Sequence, residues 1–168
     1  AYGEVFSVEI MQKALANFQR TLISDNTRFD QFMREEIALT EQEMQGWALF
    51  QSERLNCIQC HSGYNFTNYA FENNGLYKTY EEQGRYRITG EEKEQAKFKV
   101  PTLRNNTITY PYMHNGSVAT LEAVIDHYAA GGKDHPSKSP LVQGFALSEE
   151  ERASLLAFLN TLTDQYLL

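Results

Sequence analysis

Cysteine is nearly absent from this sequence: there are two, Cys57 and Cys60, in 168 residues. A disulfide-stapled scaffold is thereby excluded, because two cysteines three positions apart cannot staple a domain. A zinc site would need two more good ligands, and the other histidines do not fall in a compact zinc-type spacing. Long hydrophobic runs are missing as well. No stretch approaches the ~20 apolar residues of a membrane span. The opening AYGEVFSVEI lacks the charged and apolar regions of a secretory signal, so an exported form would be a processed chain or a fragment. Basic residues are in deficit, with a net charge of −7 and no basic cluster. That argues against nucleic acid and anionic membrane surfaces as partners. Apolar residues are plentiful, at 42% with ten Phe and ten Tyr, enough to fill one ordinary domain core.

The two cysteines stand in CIQCH, followed at once by His61. C-x-x-C-H reads as a covalent attachment site for one haem c. Two thiols at this spacing add to the two vinyl groups on one porphyrin edge. The next residue then falls beneath the ring, where its imidazole binds iron as the proximal ligand. Because haem c is attached outside the bacterial cytoplasm, the motif implies the periplasm or an equivalent compartment.

Around the motif the sequence reads as helices and loops. Phe6 to Ser24 forms a helix with one narrow apolar seam, Val8, Met11, Leu15, Phe18 and Leu22. It packs either on this chain's own core or on another domain. Residues 28–34 suggest a further turn or two. Thr40 with Glu43 is a capping-box signature; the helix after it carries Met44, Trp47 and Ala48 on one face and leads into Cys57. Residues 62–100 read as a long ordered loop over the haem, with short strands expected near Tyr86 to Ile88. Thr120 caps a helix stopped by Gly131-Gly132. The loop GKDHPSKSP is polar, with His135 expected in solvent. The last helix starts at Ser148, boxed by Glu151, and buries Leu155, Leu156, Phe158, Leu159 and Leu162. The expected fold class is all-α: a cytochrome c-like haem domain with long irregular loops and little or no β structure.

Four residues between Tyr110 and Tyr128 could face the iron. On a wheel of 100° per residue, Leu121, Val124, Ile125 and Tyr128 share one arc, whereas His127 lies at its margin. The pattern leaves Tyr128 and Met113 equal as distal ligands, with His114 and His127 behind them.

FQRTLIS, LTEQEMQGWALFQ, CIQCHSGYNFTN, FENNGL, GRYRITG, FKVPTLRNNTITYPYMHNGSVATLEAVIDHY and LSEEERASLLAFLNTLT occur in this order. Over nearly the whole chain they closely resemble the C-terminal haem half of bacterial dihaem cytochrome c peroxidases and MauG-type enzymes. Those proteins have two CxxCH motifs, and this sequence has one. The resemblance implies an N-terminal segment, 1–34, packing toward another haem domain, and a cytochrome c-like domain, 35–168. It implies an electron-transfer role for this haem, with peroxide cleaved at the other. His61 matches the proximal ligand. The peroxidases carry a distal methionine fourteen residues after the histidine of PYxH; counted from His114 that position is Tyr128, where MauG-type proteins have a ligating tyrosine. The resemblance therefore favours Tyr128 over Met113. It assigns His114 to the haem pocket, Arg104 to a haem propionate, and the backbone carbonyls of Thr109 and Pro111 to a calcium ion shared with the other domain. The implied partners are a second haem domain, a small redox protein or other electron donor, and hydrogen peroxide. A stand-alone monohaem electron carrier and a haem-based sensor are the alternatives.

Overall fold

The computed structural model describes residues 7–164; Phe6, and the ends of both expected domains (1–6 and 165–168), lie outside them. The described chain is helical, with α1 (Val8–Thr21), α2 (Arg28–Met33), α3 (Glu41–Gln51), α4 (Cys57–Cys60), α5 (Tyr86–Thr89), α6 (Leu121–Ala129) and α7 (Glu149–Asn160). A single 3-10 turn spans Glu92–Glu94, and the two-residue strands β1 (Phe71–Glu72) and β2 (Phe98–Lys99) pair antiparallel.

Helix starts follow the side-chain caps. The hydroxyls of Thr40 and Ser148 accept from the backbone N–H of Glu43 and Glu151, whose carboxylates accept in return from the cap N–H groups. A third box, Thr27 with Asp30, starts α2, and the Thr120 hydroxyl caps α6. At the other end of α6, Gly131 and Gly132 adopt φ of 79° and 66°, a left-handed turn open to residues without a Cβ.

The core forms where α3 lies along α7. Phe50, Phe158 and Leu162 are fully buried there, and Phe29, Trp47 and Phe66 close an aromatic cluster around Phe158. Each buried ring contributes roughly 1.5–3 kcal/mol of transfer free energy. The buried face of α3 carries Gly46 and Phe50, with Trp47 half-buried, whereas Met44 and Ala48 are exposed. Gly46 is the reason. A Cβ built there would overlap the Ser154 carbonyl oxygen and sit 2.8 Å from Phe158 Cβ, so the two backbones touch at the crossing.

The segment before α3 divides into two parts. Phe29 of α2 enters the core, and Asp30 is held at 2.8 Å by both terminal nitrogens of Arg104. In contrast, α1 has no buried residue. Its seam is open, with Val8 65%, Leu15 55%, Phe18 61% and Leu22 63% exposed.

The long middle loop is ordered by polar knots more than by apolar packing. Asn73 is buried; its Oδ1 accepts from Gly75 N and Tyr80 Oη, and its Nδ2 donates to His135 and Ser137. His135, expected in solvent, is therefore half-buried at the centre of a loop–loop contact. Tyr86 to Ile88, expected as strand, lies in the single helical turn α5; the extended pairing falls instead at 71–72 and 98–99.

Candidate functional site

A cleft of about 400 Å³ opens between α4, α6, α7 and the 98–114 loop, within the usual range for a buried cofactor or ligand. Cys57, Cys60 and His61 line it. So do Tyr128, Met113 and Asn74, and the remaining walls are mostly apolar: Phe50, Leu55, Val100, Ile125, Phe145 and Leu159.

The motif sits on a four-residue helix because CIQC needs only one turn to place both sulfurs and the following imidazole side by side. Asn56 enters that turn at φ 58°, a conformation asparagine tolerates better than most residues. His61 Nδ1 lies 3.0 Å from the Phe66 carbonyl oxygen. A carbonyl only accepts, so Nδ1 carries the proton and Nε2 is left with a free lone pair for a metal. Burial pushes the His61 imidazole down from its usual pKa, against the pull of the Phe66 and Pro101 carbonyls, which keeps the ring neutral as a ligand must be. Burial pushes the Cys57 thiol up to about 12, and Cys60 in the same direction. These are apolar-pocket thiols, not thiolates poised for nucleophilic attack.

Tyr128 comes from the inward arc of α6, where Leu121, Val124 and Ile125 also line the cleft. Burial raises its hydroxyl pKa, with a partial counterweight from the Asn74 hydrogen bond. Met113 is at φ 71°. A long side chain pays about 1–3 kcal/mol for a left-handed backbone, and here the turn brings its sulfur 3.2 Å from the Asn74 amide. Both candidate distal residues thus reach the same cleft as His61. His127 does not line it; its Nε2 lies 3.0 Å from the Asn74 carbonyl oxygen.

His114 lines the cleft near its mouth, stacked on Phe98 with ring centroids 3.7 Å apart, and desolvation lowers its pKa. Thr109 and Pro111 also line the cleft and are exposed. Among the described residues, no three His, Cys, Asp or Glu side chains group to hold a metal ion. Arg104, expected at a haem propionate, is not among the residues that line the cleft. Its guanidinium fork is spent on Asp30, its Nε donates to the Tyr64 carbonyl at 2.9 Å, and its plane lies over the Tyr64 ring. The side chain that could have met a propionate is a buried internal strut.

Two residues with no functional signature in the sequence belong to the site. Asn74 bridges Met113 and Tyr128. Asn106 lines the cleft with Oδ1 buried and without a partner, while its Nδ2 donates to Leu159 O. An apolar cleft lined by two thiols, a neutral imidazole, a phenol and a thioether fits a haem.

Fold and cleft together define a c-type haem domain. The chain belongs to the cytochrome c family, whose model matches residues 43–163. Its relatives include the methylamine utilization protein MauG of Methylorubrum extorquens, 41% identical over 152 residues, covering 89% of this chain and 42% of that protein. Cytochrome c551 peroxidase of Nitrosomonas europaea is 32% identical over 162 residues, covering 94% of this chain and 45% of that protein. Among solved structures, a MauG-like protein associated with microbial copper homeostasis superimposes with a TM-score of 0.90 at 36% identity, over 97% of this chain and 55% of that one. The diheme peroxidase BthA of Burkholderia thailandensis shares the fold, with a TM-score of 0.71 at 22% identity, over 87% of this chain and 48% of that one. The chain spans about half the length of the curated relatives it matches. No described helix is long and apolar enough to cross a membrane.

Proposed function

We propose that this chain is the C-terminal electron-transfer domain of a dihaem peroxidase or MauG-like oxidoreductase, carrying one covalent haem c in the periplasm. The observation that carries this reading is that His61 and Tyr128 line one cleft beside Cys57 and Cys60. Bound haem supplies a one-electron Fe(III)/Fe(II) couple. The chain's own residues do the rest. Cys57 and Cys60 tether the ring edge. The Phe66 carbonyl holds His61 in the tautomer that presents Nε2. Tyr128 would offer a hard oxygen to the iron, and the apolar walls exclude water from the cleft.

A phenolate ligand favours the ferric state, whereas a methionine thioether favours the ferrous one. A bound ferric iron would be a local positive charge that opposes the effect of burial on the Tyr128 hydroxyl. With Tyr128 as its ligand, the domain would accept electrons poorly from ordinary cytochromes and would better hold oxidising equivalents from another haem. Peroxide reduction, the electron donor and the calcium ion at Thr109 and Pro111 belong to the assembled protein. In that assembly, the exposed seam of α1 faces the second haem domain.

The test is the absorption and low-temperature EPR spectrum of the ferric protein beside Tyr128→Phe and Met113→Leu. A spectrum that changes only in Tyr128→Phe supports the reading. A methionine–iron charge-transfer band that disappears only in Met113→Leu overturns it and makes the domain a high-potential relay.

A further inference from the structure

Asn74 touches both side chains that compete for the distal position. Its Nδ2 lies 3.2 Å from Met113 Sδ and 3.5 Å from Tyr128 Oη. The two N–H bonds of one amide diverge, so a single Asn can serve both neighbours. The rest of the residue is pinned. Its Oδ1 accepts from Leu76 N at 3.2 Å, and its carbonyl oxygen lies 3.0 Å from His127 Nε2.

The backbone explains why this amide is held so firmly beside α6. Gly132, just past the helix end, packs so closely that a Cβ there would lie 2.7 Å from the Asn74 carbonyl oxygen. Lys133 N donates to the Gly75 carbonyl. The Asn-Gly turn is thus fastened to the end of the helix that presents Tyr128, and the donor cannot drift away from the phenol.

The geometry points to Asn74 as the positioning residue of the distal side, holding the Tyr128 oxygen at the cleft and retaining the Met113 sulfur on its second N–H. This rests on Tyr128 being the iron ligand. A donor on a phenolate oxygen draws charge back from the metal. It stabilises the reduced, more electron-rich state more than the oxidised one. Asn74 therefore sets the potential above that of an unsupported phenolate. Hydrogen bonds to charged groups correspond to roughly a tenfold to a hundredfold change in equilibrium.

The experiment compares Asn74→Ser and Asn74→Leu in three backgrounds of the haem-loaded protein: otherwise unchanged, Tyr128→Phe and Met113→Leu. Serine keeps a short acceptor for the Leu76 N–H and loses the reaching donor, so it guards against a folding defect in the leucine variant. The readouts are the midpoint potential and the ferric absorption spectrum. In the unchanged background both substitutions shift the ferric/ferrous equilibrium toward ferric by about tenfold or more, a fall of roughly 59 mV for a one-electron couple. The shift persists with Met113→Leu and disappears with Tyr128→Phe. An unaltered potential in both Asn74 variants overturns the proposal, as does an equal shift in the Tyr128→Phe background. If Tyr128→Phe alone leaves spectrum and potential unchanged, the ligand assignment itself fails, and this proposal falls with it.

Discussion

Removing Asp30 tests the energetic centre of the domain. Its carboxylate receives two 2.8 Å bonds from Arg104 and bonds from the Thr27 N–H and hydroxyl at 2.9 and 2.7 Å. Side-chain exposure in the ion pair is only 6% for Arg104 and 10% for Asp30. In Asp30→Ala the guanidinium stays buried without its counter-charge, which costs about 3–5 kcal/mol. For a chain of this size that is a fall in Tm of roughly 6–20 °C. The assay is thermal and urea unfolding of Asp30→Ala, Arg104→Met and the double variant. The double variant should cost less than the sum of the singles, because removing both charges leaves none unpaired. The pH dependence has a definite sign. Burial raises the Asp30 pKa, but the bonds from Arg104 and Thr27 outweigh it and hold the folded value below normal. The contribution is therefore complete above the unfolded value of about 3.9 and is lost as pH falls through the lower folded value. Asp30→Asn should differ most from the parent near neutrality and converge with it in acid. A cost for Asp30→Ala below about 1 kcal/mol, the level of an exposed pair, would refute the reasoning.

Gly46→Ala should lower stability: overpacking against the Ser154 carbonyl costs about 1–3 kcal/mol, partly offset by about 1 kcal/mol of helix propensity, and the melting curve should fall by a few degrees. If the proposed thioethers tether the haem, Cys57→Ser with Cys60→Ser should abolish haem retention on denaturing gels. Asn73→Ala should leave Tyr80 Oη, Gly75 N and their neighbours short of partners at about 1–3 kcal/mol each. Amide exchange should then rise first in residues 73–80 and 135–139, while the α3–α7 core stays protected.

What was legible in the sequence had a local cause. The Thr40–Glu43 and Ser148–Glu151 boxes act over three residues, and the Gly131-Gly132 stop over two, so their residue types announce them. The inward arc of α6 followed from helical period alone and placed Tyr128 correctly at the cleft. The illegible parts depend on distant partners. The face of α3 was misread because a hydrophobic wheel scores Met44 above Gly46, although only a residue without a Cβ lets α7 approach. The pairing of Arg104 with Asp30 spans 74 positions, so no local pattern announces it. Asn73, Asn74 and Asn106 carry no local signature; the fold makes the first a knot, the second a bridge and the third an orphan. The left-handed turn at Met113 left no mark in its residue type at all.

The bare helix α1 has a practical consequence. Its 14 residues bury nothing, and isolated helices of about 12–15 residues are marginal in water. Its amides should exchange faster than those of α3 and α7 in this chain by itself, because opening them uncovers no buried side chain among the described residues. Covering the seam of Val8, Leu15, Phe18 and Leu22 would slow that exchange in step with occupancy. If the proposed second domain covers this seam, α1 would be a gauge of that assembly, readable one amide at a time.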